Sequence, residues 1–255
     1  MQILLASAKI MNDKLTTAPD VELSIPRFGD EASSFARDMA VYSAEQIAEM
    51  LGCSRQIAAQ NKMRFMRFFE DAPEMPAVRA YHGQAYKHLK AETLNAADLR
   101  FAQEHLWITS FLYGLLRPLD AILPYRMEGN VELSSAGGRN LFAFWKSRLT
   151  DVLIDAAKAD DGILVHLATE EYQHLFDWQR VRKEIHIIQP LFYVRQGNSL
   201  KMQAVWAKTC RGAMTRFIID QRLTAPADLN AFTYEGFAYS SAIGEPDYPH
   251  FIMSK

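Results

Sequence analysis

Cysteine is nearly absent, with Cys53 and Cys210 the only two in the chain. Two thiols build neither a disulfide framework nor a cysteine-only zinc site, and such sparing use fits a reducing cytoplasm. Long apolar runs are also missing. No stretch approaches eighteen apolar residues, so no membrane-spanning helix is expected. The opening MQILLASAKIM has an apolar run too short for a signal peptide and no basic region before it. There is no excess of charge of either sign: 28 Lys and Arg face 30 Asp and Glu, a net of −2. Nothing global therefore marks a nucleic-acid partner, and any basic surface must be local. Phosphate-loop and dinucleotide glycine fingerprints do not occur, nor does a G-x-S-x-G nucleophile elbow. The seven histidines show no ligand spacing, and His82 and His88 read as satisfied or exposed side chains. No metal site and no cofactor are expected. Iron sequestration by protein ligands would need a ferritin-like E-x-x-H pairing, which is not found.

What is present is 255 residues of ordinary globular composition, 49% apolar and 23% charged, enough to bury a sizeable core. Gln2 to Ala6 reads as a buried first strand, with Lys9 just past its end, at the edge where open α/β sheets bind ligands. A surface lysine would read the same way. Asn12 to Pro26 is loop-like. Asp30 to Tyr42 is predicted helical, and Ser43 with Gln46 forms a capping box for a second helix to Leu51. Gly52 stops that helix and Ser54 caps a third, running to Phe69. Between Gly52 and Phe69 lie Arg55, Lys62, Arg64 and Arg67 and no acid. That is the outline of a helix-hairpin-helix over about 43–69, whose turn amides and helix N-terminus can hold a phosphate. Two helices with a solvated basic face would look alike.

Further on, Ala77 to Tyr81 is predicted as a strand and a helix is expected from Gln84. Asn95 with Asp98 caps another helix to His105, and Leu106 to Thr109 forms a strand. Tyr113 to Arg126, reading YGLLRPLDAILPYR, sets Tyr113, Arg117, Asp120, Tyr125 and Arg126 among leucines and isoleucines. Pro118 and Pro124 restrict the residues before them, so Arg117 is expected on an irregular turn. It is either a structural clamp paired with Asp120 or part of a cleft wall that binds an anion. Asn140 to Ala157 is a helix and Ile163 to Ala168 a strand, after which come Glu170, Glu171 and Tyr172. Ile185 to Val194 and Leu200 to Trp206 are predicted as a hairpin around Gly197 and Asn198, with Pro190 marking an edge or bulge. Along the helix Ala207 to Leu223, Cys210, Ala213, Met214 and Phe217 share one face. Lys208, Arg211, Thr215 and Arg222 share another, with Arg216 further round, and a solvated face is the plain reading of that stripe.

These blocks together resemble the YaaA family, the bacterial peroxide stress response proteins. Tyr113, Gly114, Arg117, Pro118, Leu119, Asp120, Pro124, Tyr125, Arg126 and Glu128 follow its LYGxLRPLDxxxPYRxE pattern. Ala207, Lys208, Arg211, Gly212, Met214, Arg216, Phe217, Ile218 and Ile219 follow AKxxRGxMxRFII. Leu167, Ala168, Glu171 and Tyr172 follow LASxEY, and Glu235, Gly236 and Phe237 follow EGY. Two blocks depart. The family's S-P-A-K-T is Ala6-Ser7-Ala8-Lys9-Ile10 here, and its G-D-V-Y is Gly83-Gln84-Ala85-Tyr86, which marks a diverged paralogue.

The resemblance implies one compact α/β (α+β) domain over 1–255, with a helix-hairpin-helix and a basic cleft. It also implies binding of double-stranded DNA in the oxidative stress response, by contacts without sequence preference. Arg55, Lys62 and Arg64 would contact phosphates from the hairpin, and Lys208, Arg211 and Arg216 would line the cleft, with Arg117 and Arg126 as further anion-binding residues. The competing reading is an enzyme acting on a small anionic or nucleotide-like ligand. Lys9, Tyr86, Tyr113, Asp120, Glu171 and Glu235 would then supply acid/base groups. A narrow, enclosed pocket favours the enzyme and an open groove favours DNA. Lys9, Arg117, Arg126 and Arg211 are expected to converge on one cavity.

Overall fold

The computed structural model describes residues 1–12, 21–70 and 72–254. Most of the loop expected from Asn12 to Pro26 lies outside the described residues.

The chain opens with strand β1 (Gln2–Ala6), then three helices, α1 (Gly29–Val41), α2 (Ala44–Met50) and α3 (Arg55–Met66). A short strand β2 (Met75–Pro76) leads into α4 (Ala77–Ala80), α5 (Gln84–Leu89) and α6 (Ala96–His105). Strands β3 (Leu106–Ser110), β4 (Gly114–Leu116) and β5 (Ala121–Ile122) precede the long helix α7 (Leu141–Ala159). Then come β6 (Ile163–Leu167), α8 (Glu170–Gln173), α9 (Trp178–Glu184), β7 (His186–Ile188), β8 (Leu191–Gln196) and β9 (Ser199–Lys201). Helix α10 (Ala204–Gln221) and strands β10 (Thr233–Tyr234), β11 (Phe237–Glu245) and β12 (Tyr248–Met253) finish the order.

The main sheet has the order β4-β3-β1-β6-β7. β3, β1, β6 and β7 run parallel and β4 is an antiparallel edge. Strands buried on both faces should read as continuous apolar runs. QILLA and ILVHL do so, and Ile3, Leu4, Leu164 and Val165 are fully buried. From β1 the chain leaves toward β3, and from β6 it leaves toward β7 on the opposite side. The carboxyl ends of β1 and β6 therefore flank a topological switch point, where the outgoing segments part and leave a crevice.

The second sheet, β10-β11-β12-β8-β9, is antiparallel except for β12 beside β8. Pro190 sits where the chain passes from β7 in one sheet to β8 in the other, so the single arm expected from Ile185 to Val194 is two strands. The hairpin itself, β8 with β9 around Gly197 at φ +58, is as expected. After Lys201 the chain turns helical from Ala204, not extended to Trp206. The strand expected over Ala77 to Tyr81 is a helical turn, because Ala77 and Val78 give their amides to Asp120 and Pro118 carbonyls across the chain. Helix starts follow their capping residues: Ser43 with Gln46 and Asn95 with Asp98 form reciprocal boxes, and Asn140 caps α7.

Helix α10 packs against α5, β1 and β8, so it joins the two sheets. Gly212 explains how closely it meets α5. A Cβ there would lie 1.9 Å from the Ala85 carbonyl oxygen, so only glycine permits this approach. Gly83, the residue before α5, is similarly pressed, with its missing Cβ 2.9 Å from that of Ala8.

Candidate functional site

A cavity of about 320 Å³ opens at the switch point. Its floor is the chain leaving β1, Ala6 to Ile10, and the chain leaving β6, Leu167 to Tyr172. Its cover is the start of α5 and the second turn of α10. Three cations, Lys9, Lys208 and Arg211, and one carboxylate, Glu171, line it, beside apolar Leu5, Ala85 and Leu167.

The cations differ in how they are held. Lys9 reaches Glu128 Oε2 at 2.8 Å, and the other oxygen of Glu128 takes Arg126 Nη2 at 3.1 Å. One carboxylate thus serves two cations, and the trio keeps a net positive charge. Lys9 is half exposed, at 53%, while Glu128 at 13% is fixed beneath it. Arg126 lines a small nook behind the cavity, sharing Ser7, Lys9 and Tyr172 with it. Arg211 is partly buried, and its guanidinium makes no ion pair or hydrogen bond with any described residue. Burial lowers its pKa, and the field of Glu170 works the other way. Lys208 is exposed on the cavity rim and likewise unpaired among the described residues. A guanidinium left unpaired in a partly buried wall is costly unless an anion or water meets it.

The neutral groups are anchored. Tyr86 donates to the Ala6 carbonyl at 3.0 Å, tying α5 to the end of β1. Tyr172 OH lies 3.1 Å from Ser7 Oγ. Burial raises the pKa of both phenols well above the usual tyrosine value, so at neutral pH they stay protonated. Gln84 donates to Thr209 Oγ1 at 2.7 Å, and its amide stands 3.2 Å from His88 Nε2. His88 Nδ1 is in turn 2.7 Å from Tyr234 OH. This relay crosses the α5–α10 layer.

Of the residues singled out from the sequence, the structure brings Lys9, Tyr86, Glu171, Lys208 and Arg211 to the cavity, with Arg126 directly behind. Arg117 lies at the opposite end of the main sheet. Its guanidinium stacks 3.3 Å over Trp107 and reaches Gln2 Oε1 and the carbonyls of Glu104 and Leu106, groups at the amino ends of β1 and β3. The expected convergence of Arg117 on the cavity therefore does not occur. Its partners are neutral, two backbone carbonyls, the Gln2 amide oxygen and the Trp107 ring, and Asp120 does not reach the guanidinium. Instead Asp120, 4% exposed, accepts the Arg117 amide and the Ser24 hydroxyl, both at 2.7 Å, and closes the turn. Tyr113 is buried with its hydroxyl accepting the Leu123 amide.

The hairpin residues are also elsewhere. Helices α2 and α3 contact each other across a turn at Gly52, which has φ +54. Lys62, however, gives its ammonium to the Ala40 and Tyr42 carbonyls, at 3.2 and 2.6 Å, and so caps α1. Arg55 is exposed at the start of α3, and Arg64 is partly buried further along it. Arg216 pairs with Asp220 at 2.7 Å and holds the Lys90 carbonyl and Thr93, bracing the end of α5. Glu235 stands exposed at φ +48 beyond Tyr234, outside the cavity.

Glu128, Ser7 and His166 were given no site role from the sequence. Glu128 carried a readable signal, standing two residues after Arg126 in the same block. His166 gave none: it sits mid-strand in β6, 1% exposed, with neither ring nitrogen hydrogen-bonded to a described residue. Burial, with Arg211 and Arg182 adding to it, drives its pKa down to about 3. No group of three or more His, Cys, Asp or Glu suited to a metal ion occurs among the described residues. None of the described helices is long and apolar enough to cross a membrane.

The family described as Peroxide stress protein YaaA matches residues 1–243. A UPF0246 protein of Phocaeicola vulgatus is 43% identical over 255 residues, covering 100% of this chain and 99% of the relative. One from Bacteroides thetaiotaomicron is 40% identical over 246 residues, 96% of this chain and 95% of its own. One from Porphyromonas gingivalis is 36% identical over 255 residues, 99% of this chain and 100% of its own.

Proposed function

This chain belongs to the peroxide stress protein YaaA family, and we propose that it acts by binding a small organic anion in the switch-point cavity. The observation that carries this reading is Arg211, a partly buried guanidinium in the cavity wall with no protein partner among the described residues, next to an equally unpaired Lys208. The cavity is walled by the ends of β1 and β6 below and by α5 and α10 above, which suits a compact ligand better than a duplex. Its volume is at the lower end of small-molecule sites. Lys9, Glu171 and the protonated phenols of Tyr86 and Tyr172 are the groups available for positioning such a ligand or for proton transfer to it. Calorimetric titration with a small aromatic oxyanion tests the reading. Saturable binding that is lost in Arg211→Gln is the expected result, and no heat of binding to the wild-type protein would overturn it.

A second reading is favoured by one observation. The α2–α3 pair presents Arg55 in solvent at the first turn of α3, just after the Gly52 turn. Phosphate contacts from that turn would give duplex binding without sequence preference. Each lost phosphate contact flattens the plot of log affinity against log salt by about 0.9. Arg55→Glu is expected to reduce the slope for random-sequence duplexes by about that amount. An unchanged slope would remove the hairpin from the account.

A further inference from the structure

We propose that the anionic group this cavity selects is a terminal phosphate monoester, with two charges on one phosphorus, in preference to a singly charged phosphodiester or carboxylate. The proposal rests on the anion-binding reading above and names the chemistry that reading leaves open.

The first argument is charge. Three cations against one carboxylate leave the lining with more positive charge than a monoanion matches. Lys9 is only half compensated, because Glu128 is shared with Arg126. Glu170 lies outside the lining and offsets part of the field at Arg211. The second argument is placement. Lys208 and Arg211 are three residues apart on α10 and both line the cavity, so their head groups serve one spot. A dicarboxylate spreads its charges over two ends, whereas a monoester concentrates them on oxygens around a single atom. A guanidinium beside an ammonium is also a donor set that suits a phosphate, with a planar fork and a compact point charge. The third argument is the remaining space. Beyond those head groups the walls are Leu5, Ala85 and Leu167, which gives the ester an apolar or aromatic body to bury and makes free inorganic phosphate a poor filling.

This selectivity separates the cavity from any contact with a continuous nucleic-acid backbone, whose phosphates are diesters with one charge each. A monoester loses its second charge near pH 6. Lys9, His82, Tyr86, Glu171 and Tyr172 are, with the two α10 cations, the titratable groups in the lining, so each pH comparison is made against a ligand whose charge stays constant.

The experiment is titration calorimetry on the full chain with four probes: phenyl phosphate, its monomethyl ester, benzoate and inorganic phosphate. At pH 7.5 phenyl phosphate is expected to bind at least about tenfold more tightly than its methyl ester or benzoate, because one more charge meets two nearby cations. It is also expected to bind more tightly than inorganic phosphate, which has no body to bury. The gap to the methyl ester should shrink at pH 5.5. Lys208→Gln, on the exposed rim, should reduce that gap, with thermal unfolding of the free variant as the folding control. Equal binding of phenyl phosphate and its methyl ester overturns the monoester assignment and leaves the anion-binding reading standing. Tightest binding of inorganic phosphate overturns the assignment of an ester. Binding of none of the four overturns both.

Discussion

Gly212→Ala tests how the fold makes the cavity. In the middle of a helix, exchanging glycine for alanine should gain about 1 kcal/mol of helix propensity. Here the new Cβ would stand 1.9 Å from the Ala85 carbonyl oxygen, 2.6 Å from its carbonyl carbon and 2.8 Å from its Cα. Ordinary carbon–oxygen contacts lie near 3.3 Å or beyond, so α5 must retreat by more than about 1 Å. All three atoms are backbone, so no rotamer change relieves the clash. Forcing volume into a packed interface costs about 1–3 kcal/mol, and occasionally more. The clash therefore outweighs the propensity gain by up to about 2 kcal/mol, which corresponds to a fall in Tm of up to roughly 8 °C for a chain of this size. A displaced α5 also moves Gln84, Ala85 and Tyr86 from the cavity wall, so anion binding should weaken with the stability. Scanning calorimetry with and without phenyl phosphate reads both effects. A Tm above wild type, with binding intact, would refute the close-packing argument and make Gly212 an ordinary helix residue.

Asp120→Asn should destabilise the protein by about 1–3 kcal/mol, since an amide cannot accept from both the Arg117 amide and the Ser24 hydroxyl as the carboxylate does. Burial raises the pKa of Asp120, so its ionisation opposes folding, and what it contributes should decline as pH climbs above the ordinary carboxylate range; acid titration of the two proteins by circular dichroism compares them. His166 has the opposite linkage. Its pKa, held near 3, is below the unfolded value, so stability should fall as pH drops below about 6.5. His166→Leu should shift the acid-unfolding midpoint downward and cost little at pH 7.5, because neither ring nitrogen has a partner to lose; an unchanged midpoint would place the acid sensitivity elsewhere. Lys62→Met should lower Tm by removing the cap on α1, yet leave the salt slope of any duplex binding unchanged. A reduced slope would return Lys62 to a phosphate-contacting role.

What could be read from the sequence was local. Ser43, Asn95 and Asn140 marked helix starts because a capping bond spans three residues, and β1 announced itself by an unbroken apolar run. Lys9 could be assigned to the ligand-binding edge because one strand and one lysine past its end suffice for that argument. Relations between distant segments could not be read in the same way. Gly212 is required by Ala85, and the charge on Lys62 is spent on carbonyls of a preceding helix, so both residues looked like parts of a helix pattern alone. Arg117 and Arg211 are alike as arginines in apolar surroundings. Only the fold shows that one stacks on Trp107 at the amino end of the sheet while the other faces the cavity at the carboxyl end. The β10, β11 and β12 part of the second sheet was missed for a related reason. Phe237 to Glu245 alternates too weakly between buried and exposed positions to read as a strand, and its pairing with Tyr248 to Met253 needs β8 beside it.

The central claim is that an oxyanion sits at the switch point, held by Lys208 and Arg211. Anomalous diffraction from crystals soaked in tungstate, a tetrahedral dianion with a strong anomalous signal, locates such an ion directly. The account predicts an anomalous peak inside the cavity between the Lys208 and Arg211 head groups, absent from crystals of Arg211→Gln. Peaks confined to the Arg55 end of α3 or to other surfaces, with nothing in the cavity, would contradict it.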